Sequence, residues 1–350
     1  MKKNIGIVGT HGIPANYSGW ETLVENLVIN RKNISYLIAT PLSRKNNQPK
    51  IYKDMSIYIP LRASGWQSIF YDLISMIFLL RKCDQILVLG VSGCIFLPLI
   101  RLFTDKNILV NTDGIEYKRK KWGYVASKFL WLSEWFAVKY ATKIIADNEG
   151  ISQYIKQKYK TEVHHVIAYG GIDNIPKKQI HKKKYNFQNK SFDLVIARIV
   201  PENNIELILN VYNKLDFNLI IIGNWESSNF SKNLKEKKWN KNINLFESDF
   251  DIQRLASLRS CCRYYIHGHS AGGTNPSLVE AISLGCNILC YDVNFNRNVL
   301  AKFGYFWKNE EDLFKILNSK KLVFDKKNLK KYYNQNFDWA QISKKYEEIF

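Results

Sequence analysis

Between His267 and Gly285 the chain reads HGHSAGGTNPSLVEAISLG, a string whose residue types suit a phosphate and a sugar. Gly272 and Gly273 allow a backbone with positive φ that can approach a ligand closely. Asn275 is a strong N-cap and Pro276 fits a first helical turn. A helix opening there turns free N–H groups and its positive end towards one spot, which suits an anion. His269 and Thr274 add polar side chains to the same turn. Glu280 lies one helical turn further in, where a carboxylate could accept hydrogen bonds from sugar hydroxyls. The same string would also serve as an ordinary capped helix of an α/β sheet.

Three other stretches carry candidate chemistry. Arg198, in ARIVPENN, ends an apolar run, at the strand edge where α/β sheets bind ligands. In NTDGIEYKRKKWG, Asp113 and Glu116 are the carboxylates near a strand end, and either could handle a hydroxyl proton. Asp113 with Gly114 also makes a common turn. The following Lys118, Arg119, Lys120, Lys121 and Trp122 read either as a solvated helix face or as a contact for lipid phosphates. Near the N-terminus, Gly9 to Gly19 forms a glycine-rich loop between a strand and a helix beginning near Trp20. It lacks the G-x-G-x-x-G spacing of dinucleotide sites, and no Gly-Lys-Ser/Thr follows it. Gly9 and Gly12 suit a plain strand-to-helix loop; Asn16, Tyr17, Ser18 and Gly19 form a second group just before the helix.

The elements that must position these residues fall into two similar halves. Ile5–Val8, Ile34–Ala39, Ile86–Leu89, Ile108–Asn111 and Lys143–Ala146 are short apolar strands separated by helical stretches. Leu194–Ala197, Leu219–Ile222, Asn244–Phe246, Tyr264–Ile266 and Ile288–Tyr291 repeat the pattern. Such alternation predicts parallel sheets covered on both faces. The pattern lapses around Gly170 to Lys184 into a linker. The expected organisation is therefore two doubly wound α/β domains, 1–172 and 173–335, facing across a cleft. Residues 336–350 form a last helix with Trp339, Ile342, Tyr346 and Ile349 on one apolar stripe.

These motifs, in this order, resemble GT-B glycosyltransferases of the family 4 type. SAGGTNPSLVEA, IGIVGTHGIPANYSGWETLVENLV and NTDGIEYKRKKWG are similar to bacterial rhamnosyltransferase-like enzymes that build capsule and O-antigen chains. The resemblance implies two Rossmann-like domains, the first binding the acceptor and the second the nucleotide sugar, with the C-terminal helix crossing back to the first. It implies that Glu280 is the second of two motif glutamates; the first position is here Gly272. It assigns donor binding to Gly19, Arg198, His269, Gly272, Gly273, Thr274, Asn275 and Glu280. An Arg at position 198 contacts the diphosphate in the family, helped by a Lys five or six residues on; this chain has Asn203 and Asn204 there. Many members place a His before the position of Asp113, where Thr112 stands here. The implied reaction retains the anomeric configuration, moving a sugar, L-rhamnose from dTDP-rhamnose first among the candidates, to a lipid-linked saccharide. No carboxylate is placed as a covalent nucleophile, so a route in which the leaving phosphate helps deprotonate the acceptor fits best. A nucleotide-sugar epimerase of the same architecture, or a non-catalytic binding subunit, are the other classes left open.

Composition bounds the partners. A chain of 350 residues suits two domains. The formal charge of +20 suits an anionic partner, a membrane surface, a phosphorylated substrate or nucleic acid, though a Lys excess spread along the chain also reads as compositional drift. No nucleic-acid-binding motif accompanies it, so nucleic acid is not expected. Six Cys residues without a CxxC pair give no zinc pattern. Asp249-Phe250-Asp251 is a D-x-D, the metal signature of the other main glycosyltransferase fold, but Asp251 reads as the N-cap of a helix from Ile252 to Leu258. No metal or cofactor is therefore expected. Ile69–Leu80 and Ile95–Phe103 are too short and too interrupted to span a bilayer and read as helices packed on a sheet. MKKNIGIVGT reads as a first strand, not a signal peptide. The expected location is cytoplasmic, peripheral at the inner face of the cell membrane.

Overall fold

The computed structural model describes residues 3–15, 19–119, 122–172 and 191–350. They form two compact units: Met1–Tyr169 with Trp339–Phe350, and Gly170–Asp338. These boundaries lie within a few residues of those read from the sequence. Most of the expected linker falls in 173–190, outside the described residues.

The first unit is a parallel sheet of β1 (Lys3–Val8), β2 (Ile34–Pro41), β3 (Ser56–Ile59), β4 (Gln85–Leu89), β5 (Asn107–Asn111), β6 (Lys143–Ala146) and β7 (His165–Val166). Their spatial order is β3-β2-β1-β4-β5-β6-β7. The connecting helices are α1 (Gly19–Ile29), α2 (Lys50–Lys53), α3 (Gln67–Lys82), α4 (Leu97–Arg101), α5 (Tyr124–Tyr140) and α6 (Glu149–Tyr159). Alternation along the strands divides the core. Ile5 and Ile7 join Leu23, Val24 and Leu27 of α1 on one face, while Val8, Ile86 and Val88 join Tyr71, Met76 and Leu79 of α3 on the other. Gly6 admits α3 to the sheet: a Cβ there would lie 2.9 Å from Leu79 Cβ.

The second unit holds β8 (Phe192–Ile196), β9 (Asn218–Ile222), β10 (Ile243–Phe246), β11 (Tyr265–His267), β12 (Ile288–Tyr291) and β13 (Gly304–Trp307). They are parallel, in the order β10-β9-β8-β11-β12-β13. Its helices are α7 (Ile205–Tyr212), α8 (Asn229–Glu236), α9 (Ile252–Cys261), α10 (Pro276–Ser283), α11 (Asn294–Leu300), α12 (Glu310–Asn318) and α13 (Lys326–Asn336). The last helix, α14 (Trp339–Ile349), belongs to the first unit, where Trp339, Ile342, Tyr346 and Ile349 enter the core beside α1.

Three strands escaped the sequence reading: β3, β7 and β13. Each lies at a sheet edge, where half-buried residues weaken the apolar signal, and β7 is only two residues long. The helix expected over Ile95–Phe103 begins instead as a 3-10 turn, Ser92–Phe96, and continues as α4.

Candidate functional site

In an open parallel sheet, ligands bind beyond the carboxyl ends of the strands where the strand order reverses. In the second unit that point lies between β8 and β11. The loop after β8 carries Arg198, which is exposed, and the turn after β11 runs from Gly268 to Asn275. The two are stitched together. Asn204 Nδ2 donates to the Gly268 carbonyl at 2.8 Å, and the Ser270 amide donates to the Glu202 carbonyl at 2.8 Å. Asn203 Nδ2 donates to the Arg198 carbonyl at 2.7 Å, so its Oδ1 is the acceptor for His269 Nδ1, 2.6 Å away. A Cβ on Gly268 would lie 2.1 Å from the Asn203 carbonyl oxygen, which is why only glycine fits there. Asn203 and Asn204, which stand where the resemblance expects a lysine, thus hold the loop and bring no charge.

Gly273 takes a φ of +87°, the left-handed region glycine enters without penalty. Asn275 Oδ1 then accepts the Ser277 amide at 3.0 Å and caps α10, with Pro276 in its first turn. Glu280 follows on α10, but it does not stand alone. Its Oε2 lies 2.6 Å from Arg259 Nη2, a guanidinium only 2% exposed, whereas Glu280 is about one third exposed. Arg259 also donates to Ser277 Oγ at 2.9 Å and lies over the Tyr265 ring. Burial, then His269 and Arg259, push the His267 imidazole well below its usual range, so it is neutral. Its Nε2 is buried without a hydrogen-bond partner among the described residues. Sequence reasoning missed Arg259. No local signal marked it: its burial, in the run Ala256–Arg259 of α9, is decided by packing.

In the first unit the order reverses between β1 and β4. The loop after β1 is strapped from several sides. Glu21, buried in the first turn of α1, accepts from Thr10 Oγ1 at 3.1 Å and from the His11 amide at 2.8 Å. Arg44 donates to the carbonyls of His11, Gly12 and Pro14 at 2.8–3.0 Å. Gly9 has a φ of +89°, and a Cβ there would meet the Leu89 carbonyl oxygen at 2.1 Å. Gly19 is the first residue of α1; Asn16, Tyr17 and Ser18 lie outside the described residues.

At the end of β5, Asp113 adopts a φ of +59°, a conformation Asp tolerates better than most side chains. Its amide donates to Asn111 Oδ1 at 3.2 Å, and Asn111 Nδ2 donates to Tyr346 Oη of α14 at 2.9 Å. Burial, and then the carboxylates of Asp113 and Asp147, push the Tyr169 hydroxyl well above its usual range. Asp147, just past β6, acts on the same hydroxyl and was not singled out by the sequence. Glu116 pairs with Arg119 at 2.8 Å and accepts from Trp122 Nε1 at 3.0 Å. Lys118 Nζ sits 5.4 Å from the Tyr154 ring centroid. The basic run is therefore partly engaged within its own turn; Lys120 and Lys121 lie outside the described residues.

The D-x-D stretch is also taken up locally. Asp249 faces Arg254 at 2.5 and 2.6 Å, and Asp251 Oδ1 caps α9 by accepting the Arg254 amide at 3.0 Å. Among the described residues no group of three or more His, Cys, Asp or Glu could hold a metal ion. The structure thus gathers Arg198, His269, Gly272, Gly273, Thr274 and Asn275 at one sheet edge, with Glu280 on the helix they open. It gathers Asp113, Glu116 and Arg119 at an edge of the other unit.

Comparison with known proteins bears on this arrangement. Residues 2–172 match a domain of unknown function, DUF1972, and residues 176–335 match the glycosyl transferases group 1 family. An uncharacterized glycosyltransferase of Methanocaldococcus jannaschii is 22% identical over 232 residues, 61% of this chain and 59% of that protein, so the chain spans less than two thirds of that relative. Sucrose-phosphate synthase from Thermosynechococcus elongatus has a similar structure, with a TM-score of 0.80 at 13% identity over 99% of this chain and 98% of that one. Anabaena HepE in complex with UDP superposes with a TM-score of 0.77 at 12% identity, and in complex with UDP-glucose with 0.76 at 12%, each over 99% of both chains. Over its length the chain therefore has the GT-B fold of these structures, and its residues 176–335 match the glycosyl transferases group 1 family.

Proposed function

We propose that the protein transfers a sugar from a nucleotide-diphosphate donor to a hydroxyl of a lipid-linked saccharide, with retention, in the synthesis of a bacterial surface polysaccharide. The observation that carries this reading is the stitched pair of loops at the second sheet's switch point, which sets Arg198 beside a glycine turn and a capped helix start. The amides of Gly272 to Asn275 and the Arg198 guanidinium stabilise the departing diphosphate, whose charge grows as the sugar–phosphate bond breaks. Glu280 accepts from nucleotide hydroxyls with its aim set by Arg259. On the first unit Asp113 receives or relays the acceptor proton, with Glu116 behind it. The protein works as a peripheral membrane enzyme on the cytoplasmic side. No metal is required.

L-rhamnose from dTDP-rhamnose is the first donor to test, on the motif resemblance; UDP-glucose is the second, because HepE holds it. Thermal unfolding in the presence of each nucleotide sugar tests the reading. A donor at a hundred times its Kd stabilises the folded state by about 2.7 kcal/mol. One nucleotide sugar is expected to raise the melting temperature, and its consumption is expected to require a saccharide acceptor. Conversion of the sugar without any acceptor would identify an epimerase instead, and no shift with any nucleotide sugar would remove the donor site.

A further inference from the structure

The outer face of one helix layer of the first unit is apolar where a monomer's surface should be polar. Helices α3, α4 and α5 cover the sheet face opposite α1 and α14, and Arg101 Nε ties α4 to the Tyr140 carbonyl of α5 at 2.9 Å. Away from the sheet this layer exposes Leu102 and Phe103 just past α4, 76% and 80% exposed, and Trp66 at the head of α3, 73% exposed. Exposed along α5 are Val125 and a stripe at helical spacing, Tyr124, Lys128, Trp131, Trp135 and Lys139. Lys128 lies 5.4 Å from the Tyr124 ring centroid and Lys139 lies 4.9 Å from that of Trp135.

We infer that this face docks on an anionic lipid bilayer. Trp and Tyr beside Lys is the composition that settles at a headgroup boundary, with rings at the interface and ammonium groups among phosphates. The charge pattern selects the occupant. The acids within α3 and α5 are Asp72 and Glu134, both 3% exposed, so the exposed charges of these two helices, Arg81, Lys82, Lys128 and Lys139, are all basic. The rim acids Asp84 and Asp105 stand among Arg81, Lys82 and Lys106. A second copy of this chain would set like charges opposite each other on a molecule already at +20, which disfavours self-association through this face. Among the described residues no helix is long and apolar enough to cross a membrane, so the contact is with the bilayer surface. The inference deepens the proposed reading by moving the membrane contact from the Lys118–Trp122 run to this layer. It rests on that reading for its purpose, since a lipid-linked acceptor lies in a membrane.

Co-sedimentation of the full-length protein with phosphatidylcholine–phosphatidylglycerol vesicles, and with phosphatidylcholine alone, tests it. Two double variants keep the core intact: Lys128→Glu with Lys139→Glu, and Leu102→Ser with Phe103→Ser. The unmodified protein is expected to bind the anionic vesicles in low salt and to bind the neutral ones more weakly. Each double variant is expected to lower partitioning at least about tenfold, and the charge variant is expected to lose most of the salt dependence. Absence of binding, or variants that partition like the unmodified chain, would overturn the inference. So would a dimer in sedimentation velocity that both variants dissociate, which would assign the face to self-association. The thermal shift by a nucleotide sugar, measured on the same samples, separates the two readings. A retained shift without vesicle binding sinks only the docking face; vesicle binding without any shift sinks only the donor site.

Discussion

The single side chain on which most of the proposed chemistry turns is Glu280, and its partner changes what a substitution there does. From the sequence, Glu280→Gln should weaken donor binding and leave the fold intact. With Arg259 buried behind it, the same change also strips a counter-charge from a guanidinium whose Nε already lacks a hydrogen-bond partner among the described residues. The expected loss is therefore double: on the order of 1–3 kcal/mol in stability, and about 1.5–3 kcal/mol in donor binding. Denaturant unfolding and calorimetry of the folded variant separate the two, and unchanged donor affinity would take Glu280 out of the site. Arg198 is the opposite case, exposed and held through its backbone. Arg198→Ala should lower turnover on the order of a hundredfold with little change in acceptor KM, because its charge acts on the breaking bond. Arg198→Lys should restore only part, since a point charge does not reproduce the guanidinium fork. Full steady-state activity in the Ala variant would show that another cation stabilises the leaving group.

At the scale of elements, the loops at both sheet edges are held by side chains reaching in from neighbouring segments, and one such anchor titrates. Asp72, in the middle of α3, accepts from Ser92 Oγ at 2.8 Å and from the Gly93 amide, and so pins the turn after β4 to α3. A Cβ on Gly93 would lie 2.4 Å from Asp72 Cβ, so the approach is close. Burial raises the Asp72 carboxyl to about 7 despite these two donors. The protonated carboxyl is therefore the form the fold prefers. Its contribution is complete below the unfolded value near 4 and is lost as pH rises towards 7. Above pH 7 the ionised group costs on the order of 4 kcal/mol at most. Asp72→Asn keeps an acceptor for both donors and cannot ionise. It is expected to flatten the dependence of melting temperature on pH between about 4 and 7 and to stabilise the protein at pH 8. A variant with the pH profile of the unmodified protein would show that Asp72 is not the titrating group.

For the whole molecule, the chain leaves the first unit after Tyr169 and supplies that unit's last helix from its far end. Ile342 and Tyr346 are fully buried there, Lys3 Nζ donates to the Phe350 carbonyl at 2.6 Å, and Lys143 Nζ donates to the Ile349 carbonyl at 2.6 Å. The first unit therefore depends on residues some 170 positions beyond the rest of it. Ile342→Ala is expected to destabilise by about 2–5 kcal/mol, as for other large-to-small core changes. Hydrogen exchange should show the loss in amides of β1, β2 and β4, with protection in β8 to β12 retained. Equal loss in both units would mean that they unfold as one cooperative body.

What could be read directly from the sequence was whatever is encoded within a few residues. Nine central strands are largely buried apolar runs, and they stand where those runs stand. Asn275 and Asp251 cap helices through contacts two and three residues away, so residue type and position suffice to find them. The two doubly wound domains followed from the repeated alternation of strand and helix, and the GT-B assignment from the resemblance of the motifs. Three of the four edge strands were not legible, because half-burial gives them no continuous apolar signature; the fourth, β10, was found. Nor were the partners that shape the site. Asn203 meets His269 across 66 positions, Arg44 reaches Pro14 across 30, and Arg259 meets Glu280 from another helix. Local propensity carries no information about which distant side chain will share a buried hydrogen bond. That choice is made when helices and strands far apart in the chain pack together, and every polar group taken out of water must find a partner among whatever that packing brings within reach.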